Sequence, residues 1–143
     1  MVRIKATIEG GDELAEKLVR MGVDVDKVLE AAAQAGARVL AQGANRYAPQ
    51  AIIATETQSI KKHRVEVDVG PPDDKWYWQF LETGAGPHEI PGPLTIEFEG
   101  EVHVVGGASH PGMSARPFMR PGFDTSQGGA VDAVGDKIRR VVE

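Results

Sequence analysis

Histidine is the residue type in this sequence best suited to binding a metal, and four are present: His63, His88, His103 and His110. None lies four residues from another, so no two share a helix face as in the H-E-x-x-H zinc motif. His88 and His110 flank a predicted hairpin that would bring their loops together. With a carboxylate such as Glu82 they would suit a small metal-dependent hydrolase, which stoichiometric zinc or manganese in the purified protein would support. Solvent-facing loop histidines are the simpler interpretation.

Other catalytic motifs are missing from the sequence. There is no cysteine, which excludes disulfides, thiol catalysis and cysteine-ligated zinc. No nucleophile elbow, Walker A loop or dinucleotide-binding glycine motif is present. The acidic pair Asp73-Asp74 follows a Pro-Pro turn and is expected to be solvated rather than to act as an acid in a cleft. The residues by themselves therefore indicate no catalytic site and do not favour a metal site.

Length and charge restrict the remaining functions. The 143 residues suit one domain, 1–143, and 41% of them are hydrophobic. The formal net charge is -5, which argues against general nucleic-acid binding. The N-terminus lacks the apolar run of a signal peptide, and no stretch approaches the ~20 apolar residues of a membrane span. We expect a soluble protein made in the cytoplasm, with no membrane partner and no sequence-specific nucleic-acid partner.

The first half of the chain is predicted to contain a strand and two helices. Residues 2–8 alternate between apolar and polar, as in a strand with one buried face. Asp12 is expected to cap a short helix that Gly22 ends. Asp24 caps a helix of roughly six turns that ends before Pro49. Small residues along it would let another backbone approach closely: Ala32, Gly36, Gly43 and Ala44.

Strands are predicted in the middle of the chain. Residues 50–56 are irregular and are interpreted as a loop, and residues 57–63 as a strand. Alternating valines at 65–69 predict a further strand, stopped by a Gly-Pro-Pro sequence. Residues 94–105 alternate on both sides of a glycine, which predicts a β-hairpin.

Glycine and proline predict loops at 84–93 and 106–115. Pro117 opens the last segment, and apolar residues at helical spacing predict a C-terminal helix that Gly128-Gly129 breaks or loosens. The expected fold class is α+β: an antiparallel sheet with the long helix and the C-terminal helix packed on one face, plus a protruding β-hairpin.

Two segments are candidates for contact with other subunits; the alternatives are that the aromatic run serves the core alone and that the two arginines are a solvated surface pair. Consecutive aromatic residues at 76–78 cannot all face the core, and outward Trp and Tyr are typical of protein interfaces. Arg116 and Arg120 would share one helix face and suit the carboxylates of a neighbouring subunit. The candidate subunit-interface residues are Trp76, Trp78, Phe80, Glu82, Arg116, Phe118 and Arg120.

The order of several short motifs is more informative than any one of them. YAP at 47–49 is followed by WQFLETG at 78–84, HPG at 110–112 and ARPFMRP at 115–121. In this order the motifs resemble the small head-to-tail joining, or tail-completion, proteins of long-tailed double-stranded DNA bacteriophages and prophages. The resemblance covers nearly the whole chain. Ala85 and the Gly128-Gly129 pair depart from the family's usual pattern.

The resemblance implies an α+β structural protein of the neck of the virion, without catalysis or cofactor. It implies a homo-oligomeric ring of six copies, assembled in the host cytoplasm. Its partners would be a portal-connector or head-completion protein on one side and a tail-tube or tail-terminator protein on the other. The acidic charge would keep DNA from adhering to such a ring. A tail terminator or another minor tail component is the alternative within phage particles.

Overall fold

The computed structural model describes residues 3–8, 12–50, 53–61 and 64–143. These form an α+β fold with antiparallel sheets, as the sequence predicts. A 3-10 turn at Asp73–Lys75 precedes the third helix. In chain order, the elements are β1 (Ile4–Ile8), α1 (Asp12–Arg20), α2 (Val25–Asn45), β2 (Ala54–Lys61), β3 (Arg64–Gly70), α3 (Trp78–Thr83), β4 (His88–Ile90), β5 (Leu94–Phe98), β6 (Glu101–Val105), β7 (Ala108–His110) and α4 (Met119–Val142).

The main sheet has the strand order β1-β3-β2, and both pairings are antiparallel. The alternation of β3 places Val65, Val67 and Val69 in the core, where all three are fully buried. α2 packs against this sheet. β2 begins at Ala54, so the prediction of a loop at 50–56 is wrong for residues 54–56. Pairing of Ala54 with Gly70 extends the strand beyond its recognisable sequence pattern.

The predicted stop of α1 at Gly22 and the predicted cap of α2 at Asp24 are confirmed, whereas Asp12 is the first residue of α1 rather than its cap. Gly22 adopts a φ of 72° after α1, a conformation that favours glycine. The Asp24 carboxylate accepts a hydrogen bond from the Lys27 backbone N–H at 3.3 Å, which caps α2. This interaction lowers the pKa of Asp24. α2 then continues to Asn45, close to the six turns expected.

α4 packs along α2 with their backbones in close approach, and the small residues of α2 permit this. A Cβ on Gly36 would lie 2.7 Å from Val134 Cγ2. A Cβ on Gly122 of α4 would lie 2.6 Å from the Ala44 backbone nitrogen. At Gly122 the clash would be with backbone atoms, so glycine is required there, whereas at Gly36 the Val134 side chain would have to shift. The prediction that α2 receives another backbone at these positions is confirmed.

The predicted break at Gly128-Gly129 is wrong, because α4 runs without interruption from Met119 to Val142. Gly128 faces open space, whereas Gly129 faces Val39 of α2. Packing of α4 along α2 offsets the low helix propensity of the two glycines. α4 lies against α2, which itself covers the sheet.

The hairpin prediction is confirmed: β5 and β6 pair through a two-residue turn in which both Glu99 and Gly100 have positive φ. The two flanking segments predicted as loops each contain a short strand. β4 pairs with β7, which lengthens the hairpin into a longer ribbon. Three-residue strands are too short to give a periodic sequence signal, which explains the error. His63 lies outside the described residues.

None of the helices in the described part of the chain has both the length and the apolar character needed to cross a bilayer.

Gly122→Ala should lower the free energy of unfolding by about 1–3 kcal/mol, because its methyl group would collide with the backbone of α2. Gly128→Ala is the matched control on the same helix. It should raise stability by about 0.5–1 kcal/mol, since alanine favours helix and meets no neighbour there. Urea unfolding followed by circular dichroism measures both. Equal changes in the free energy of unfolding for Gly122→Ala and Gly128→Ala would contradict the close approach of α2 and α4 at Gly122.

Candidate interaction surface

The carboxylate of Glu82 binds the N-terminus of α4. It accepts backbone N–H groups from Phe118 at 2.7 Å, Met119 at 2.9 Å and Arg120 at 3.0 Å. These are donors that a helix start leaves without partners inside the helix. A negative charge there is also favoured by the helix dipole. Glu82 therefore caps α4 from a position 36 residues earlier in the chain.

The sequence of the α4 start suits this cap. The next residue, Pro121, has no N–H group to satisfy. The Gly122 N–H then donates to the Phe118 carbonyl at 3.2 Å. Every backbone donor in the first turn is thereby accounted for. Phe118 and Pro121 of the Arg-Pro-Phe-Met-Arg-Pro sequence thus have structural roles that do not involve a partner.

Two of the seven predicted interface residues are core residues in this chain. Trp78 is 4% exposed and Phe118 is 0% exposed. Their rings meet edge to face, with centroids 5.4 Å apart. A side chain buried to this extent has almost no surface to offer a neighbouring subunit. We therefore assign Trp78 and Phe118 to the monomer core.

The other aromatic residues of the run point outward, as the sequence argument requires. Trp76 is 57% exposed, Tyr77 45% and Phe80 38%. Trp76 contacts both neighbours edge to face, with centroids 6.2 Å from Tyr77 and 6.0 Å from Phe80. These three side chains form an exposed apolar patch, which we call the aromatic patch. Such a patch is typical of a protein interface.

Arg116 and Arg120 are both exposed. Within the described residues neither forms an ion pair. The Arg116 backbone N–H donates to the Leu81 carbonyl at 2.6 Å. Both guanidinium groups can therefore meet carboxylates of another chain. The prediction that they share one helix face is wrong, because Arg116 precedes α4, which begins at Met119. Glu82 is different, because its carboxylate is already occupied by the three N–H groups of α4.

A long β-ribbon, which we call the arm, spans residues 84–115. Its base is fixed by reciprocal hydrogen bonds between Ala85 and Met113, at 2.9 and 2.8 Å. Gly84 has a φ of 75°, and a Cβ there would lie 2.9 Å from both the Met113 carbonyl oxygen and the Ala115 nitrogen. Glycine is therefore required where the arm leaves α3. No residue of the arm is buried.

The outer part of the arm, β5–β6, exposes large apolar side chains on both faces. Paired residues of an antiparallel ladder share a face. Ile96 and Phe98 lie on one face, while Val102 and Val104 lie on the other. Phe98 is 65% exposed and Val104 is 70% exposed. A two-stranded ribbon that buries none of these residues is at best marginally stable alone.

The arm is also strongly anionic. It contains four glutamates, Glu89, Glu97, Glu99 and Glu101, and neither lysine nor arginine. Three of the glutamates lie at or next to the tip. A binding partner for the arm therefore needs an apolar surface that offers positive rather than negative charge.

His88 and His110 do come together, as the hairpin geometry predicts. They are paired across β4 and β7, and their rings stack with centroids 5.0 Å apart. His88 Nδ1 lies 3.0 Å from the Gly86 carbonyl and must donate to it. His110 Nδ1 instead accepts the Gly112 backbone N–H at 3.0 Å. The neutral His110 ring therefore carries its proton on Nε2.

These contacts disfavour the metal site considered for Glu82, His88 and His110. With one His110 nitrogen accepting a hydrogen bond and the other protonated, that ring has no free lone pair for a metal. Glu82 is bound to α4. Among the described residues no group of three potential ligands could hold a metal ion. The hydrolase alternative consequently has no assembled site in this part of the chain.

No family model, no curated protein and no solved structure matches this chain.

Sequence reasoning identified the exposed aromatic residues and arginines but missed the role of Glu82. A partial signal was present: a proline in the first turn of a helix that has no Ser, Thr, Asp or Asn cap of its own. Such a helix needs an acceptor from elsewhere in the chain. Which residue supplies that acceptor depends on tertiary structure and could not be inferred from the spacing of residues in the sequence.

Glu82→Ala should lower the free energy of unfolding by about 1–3 kcal/mol, since three backbone donors lose their acceptor. Glu82→Gln should cost less, because one amide oxygen can still accept. Glu89→Ala, which removes an exposed glutamate of the arm, is the control and should leave stability unchanged. Chemical denaturation gives all three values. A Glu82→Ala protein as stable as the Glu89→Ala protein would refute the cap.

Proposed function

We propose that this protein is a non-enzymatic structural component of a bacteriophage particle, which completes the tail at the head–tail interface by forming a ring. Its partners in this role are further copies of itself, a portal-connector or head-completion protein, and a tail-tube or tail-terminator protein. It acts in the neck of the virion after assembly in the host cytoplasm.

The exposed arm is the observation that carries this proposal. A ribbon spanning residues 84–115, with no buried residue and with apolar side chains on both faces of its tip, suits a protein that binds other chains. The arm also leaves the body between two motifs on which the phage resemblance depends, WQFLETG and ARPFMRP.

The aromatic patch gives independent support for a binding role. Trp76, Tyr77 and Phe80 lie immediately before the base of the arm, so the two features can engage adjacent partners. Exposed Trp and Tyr are the residues that most often dominate interface energetics. Arg116 and Arg120 add positive charge beside the anionic arm.

Deletion of the gene from the replicon that encodes this chain tests the function. DNA-filled heads and separate tails should accumulate, and electron microscopy of induced lysates would reveal them. Expression of the intact protein in trans should restore joined particles. Normal infectious particles from the deletion strain would refute the proposal.

Trp76→Ala should reduce the yield of joined particles at least tenfold while leaving the melting temperature unchanged, because Trp76 is an exposed anchor. Trp78→Ala is the informative contrast. It should lower the free energy of unfolding by about 3–5 kcal/mol, since Trp78 is a core residue. Complementation titres combined with thermal unfolding distinguish the two effects. Full complementation by the Trp76→Ala protein would exclude the aromatic patch from assembly.

A further inference from the structure

Two arginines lie beside the aromatic patch. The Arg116 backbone N–H donates to the carbonyl of Leu81, the residue after Phe80, at 2.6 Å. Arg120 follows in the first turn of α4. Both side chains are exposed and, in the part of the chain that the structure describes, neither is ion-paired, Asp124 one turn further along α4 included. The patch therefore combines an apolar surface with two available cations.

The acidic residues that precede the patch in the chain already have cationic partners. Asp73 forms an ion pair with Arg3, and the Asp74 carboxylate lies 3.4 Å from the amine of Lys75. The Glu82 carboxylate is bound to the N-terminus of α4. The charge that remains beside the patch is therefore positive, and it favours an anionic occupant.

The tip of the arm has the opposite charge and is apolar as well. It carries glutamates and neither lysine nor arginine. Glu101 lies 3.8 Å from His103 Nε2, and that ring offsets its charge only when protonated. Phe98 is 65% exposed and Trp76 is 57% exposed, so within one copy neither the arm nor the patch is covered. Both surfaces remain open to a second copy.

Charge decides which of these surfaces can meet. Contact between two arms would bring glutamates together, and contact between two patches would bring arginines together, so both symmetric pairings are disfavoured. An arm on a patch brings opposite charges together. Ile96, Phe98 and Glu101 share one face of the arm, which we call the Phe98 face. It offers an aromatic ring to the aromatic patch and a carboxylate to the arginines.

We propose that the Phe98 face of one copy's arm docks on the aromatic patch of a second copy, where Glu99 and Glu101 pair with Arg116 and Arg120. The proposal rests on the proposed ring-forming role and names the surfaces that build the ring. Because the two surfaces differ, the contact is heterologous: each copy gives an arm to one neighbour and receives an arm from the other. Such contacts close into rings or extend into filaments.

Charge reversal tests the contact in the purified full-length protein. The patch variant, the arm variant and a control at the far end of α4 are, in that order, Arg116→Glu with Arg120→Glu, Glu99→Arg with Glu101→Arg, and Lys137→Glu with Arg140→Glu. All six side chains are exposed, so none of the changes disturbs the core. In sedimentation velocity experiments at low ionic strength, the unaltered protein and the control should self-associate alike. The patch variant and the arm variant should each associate at least tenfold more weakly, because like charges then meet.

Mixing the patch variant with the arm variant gives the decisive measurement. The reversed arm of one then meets the reversed patch of the other, and the intact arm meets the intact patch. The mixture should therefore associate as the unaltered protein does. Self-association unaffected in the patch variant would indicate arm–arm contact and overturn the proposal. Failure of the mixture to recover, or an unaltered protein that stays monomeric at all concentrations, would also overturn it.

A second pair of variants tests which face of the arm docks. Phe98→Glu should weaken association at least tenfold, because a carboxylate would replace the ring that meets the patch. Val104→Glu on the opposite face is the matched control, since Val104 is 70% exposed and Phe98 is 65% exposed. It should associate as the unaltered protein does. A loss of association with Val104→Glu but not with Phe98→Glu would contradict the proposed face.

Tryptophan fluorescence reports on the patch itself. The chain has two tryptophans, and Trp78 is 4% exposed whereas Trp76 is 57% exposed. Emission from Trp76 should therefore shift to shorter wavelength as the protein associates. Trp76→Phe retains an aromatic ring, so this variant should still associate but without the shift. Association of the unaltered protein with no change in emission would locate the contact away from the patch.

These measurements separate failure of the contact from failure of the proposed function. If the intact protein restores joined particles but the patch variant does so equally well, the arm–patch contact is wrong and the phage role stands. If mixing recovers association but deletion of the gene leaves particles normal, the contact stands and the phage role is wrong.

Discussion

The cap that the Glu82 carboxylate forms on the start of α4 determines how α3, α4 and the base of the arm meet. It joins α3 to α4 across the base of the arm, because Gly84 follows Glu82 by two residues and Ala115 precedes Phe118 by three. Both ends of the ribbon are therefore held by one junction. Three hydrogen bonds to a charged acceptor make this junction strong for a contact so near the surface. The direction in which the arm leaves the body depends on it.

α4 is fixed along its length as well as at its start. At Gly122 the helix backbones approach so closely that no side chain fits between them, and at Gly36 a side chain would displace Val134. The body thus combines a capped helix, a glycine-lined crossing and a sheet whose central strand buries its three valines. The arm has none of these sources of stability. A rigid body with an exposed ribbon suits a protein whose contacts are completed by other chains.

Local patterns in the sequence predicted the local structure well. The alternation of the valines of β3, the Asp24 cap and the glycine turn of the hairpin depend on neighbouring residues and were recognisable. Gly128-Gly129 was misjudged because intrinsic propensity opposes a helix that tertiary packing stabilises. The roles of Glu82 and of the β4–β7 pairing depend on contacts between distant segments. Neither spacing nor composition encodes such contacts.

Much of the motif pattern that resembles the phage proteins has an intramolecular explanation. Glu82, Gly84, Phe118 and Pro121 each satisfy a requirement of the junction between α3 and α4. Residues of this kind specify a fold and cannot select a partner, because their interactions are already complete. Partner choice must then depend on side chains with no role inside the monomer. In the role proposed above those are the aromatic patch, the two exposed arginines and the arm, and substitutions there test the specificity of the proposed assembly.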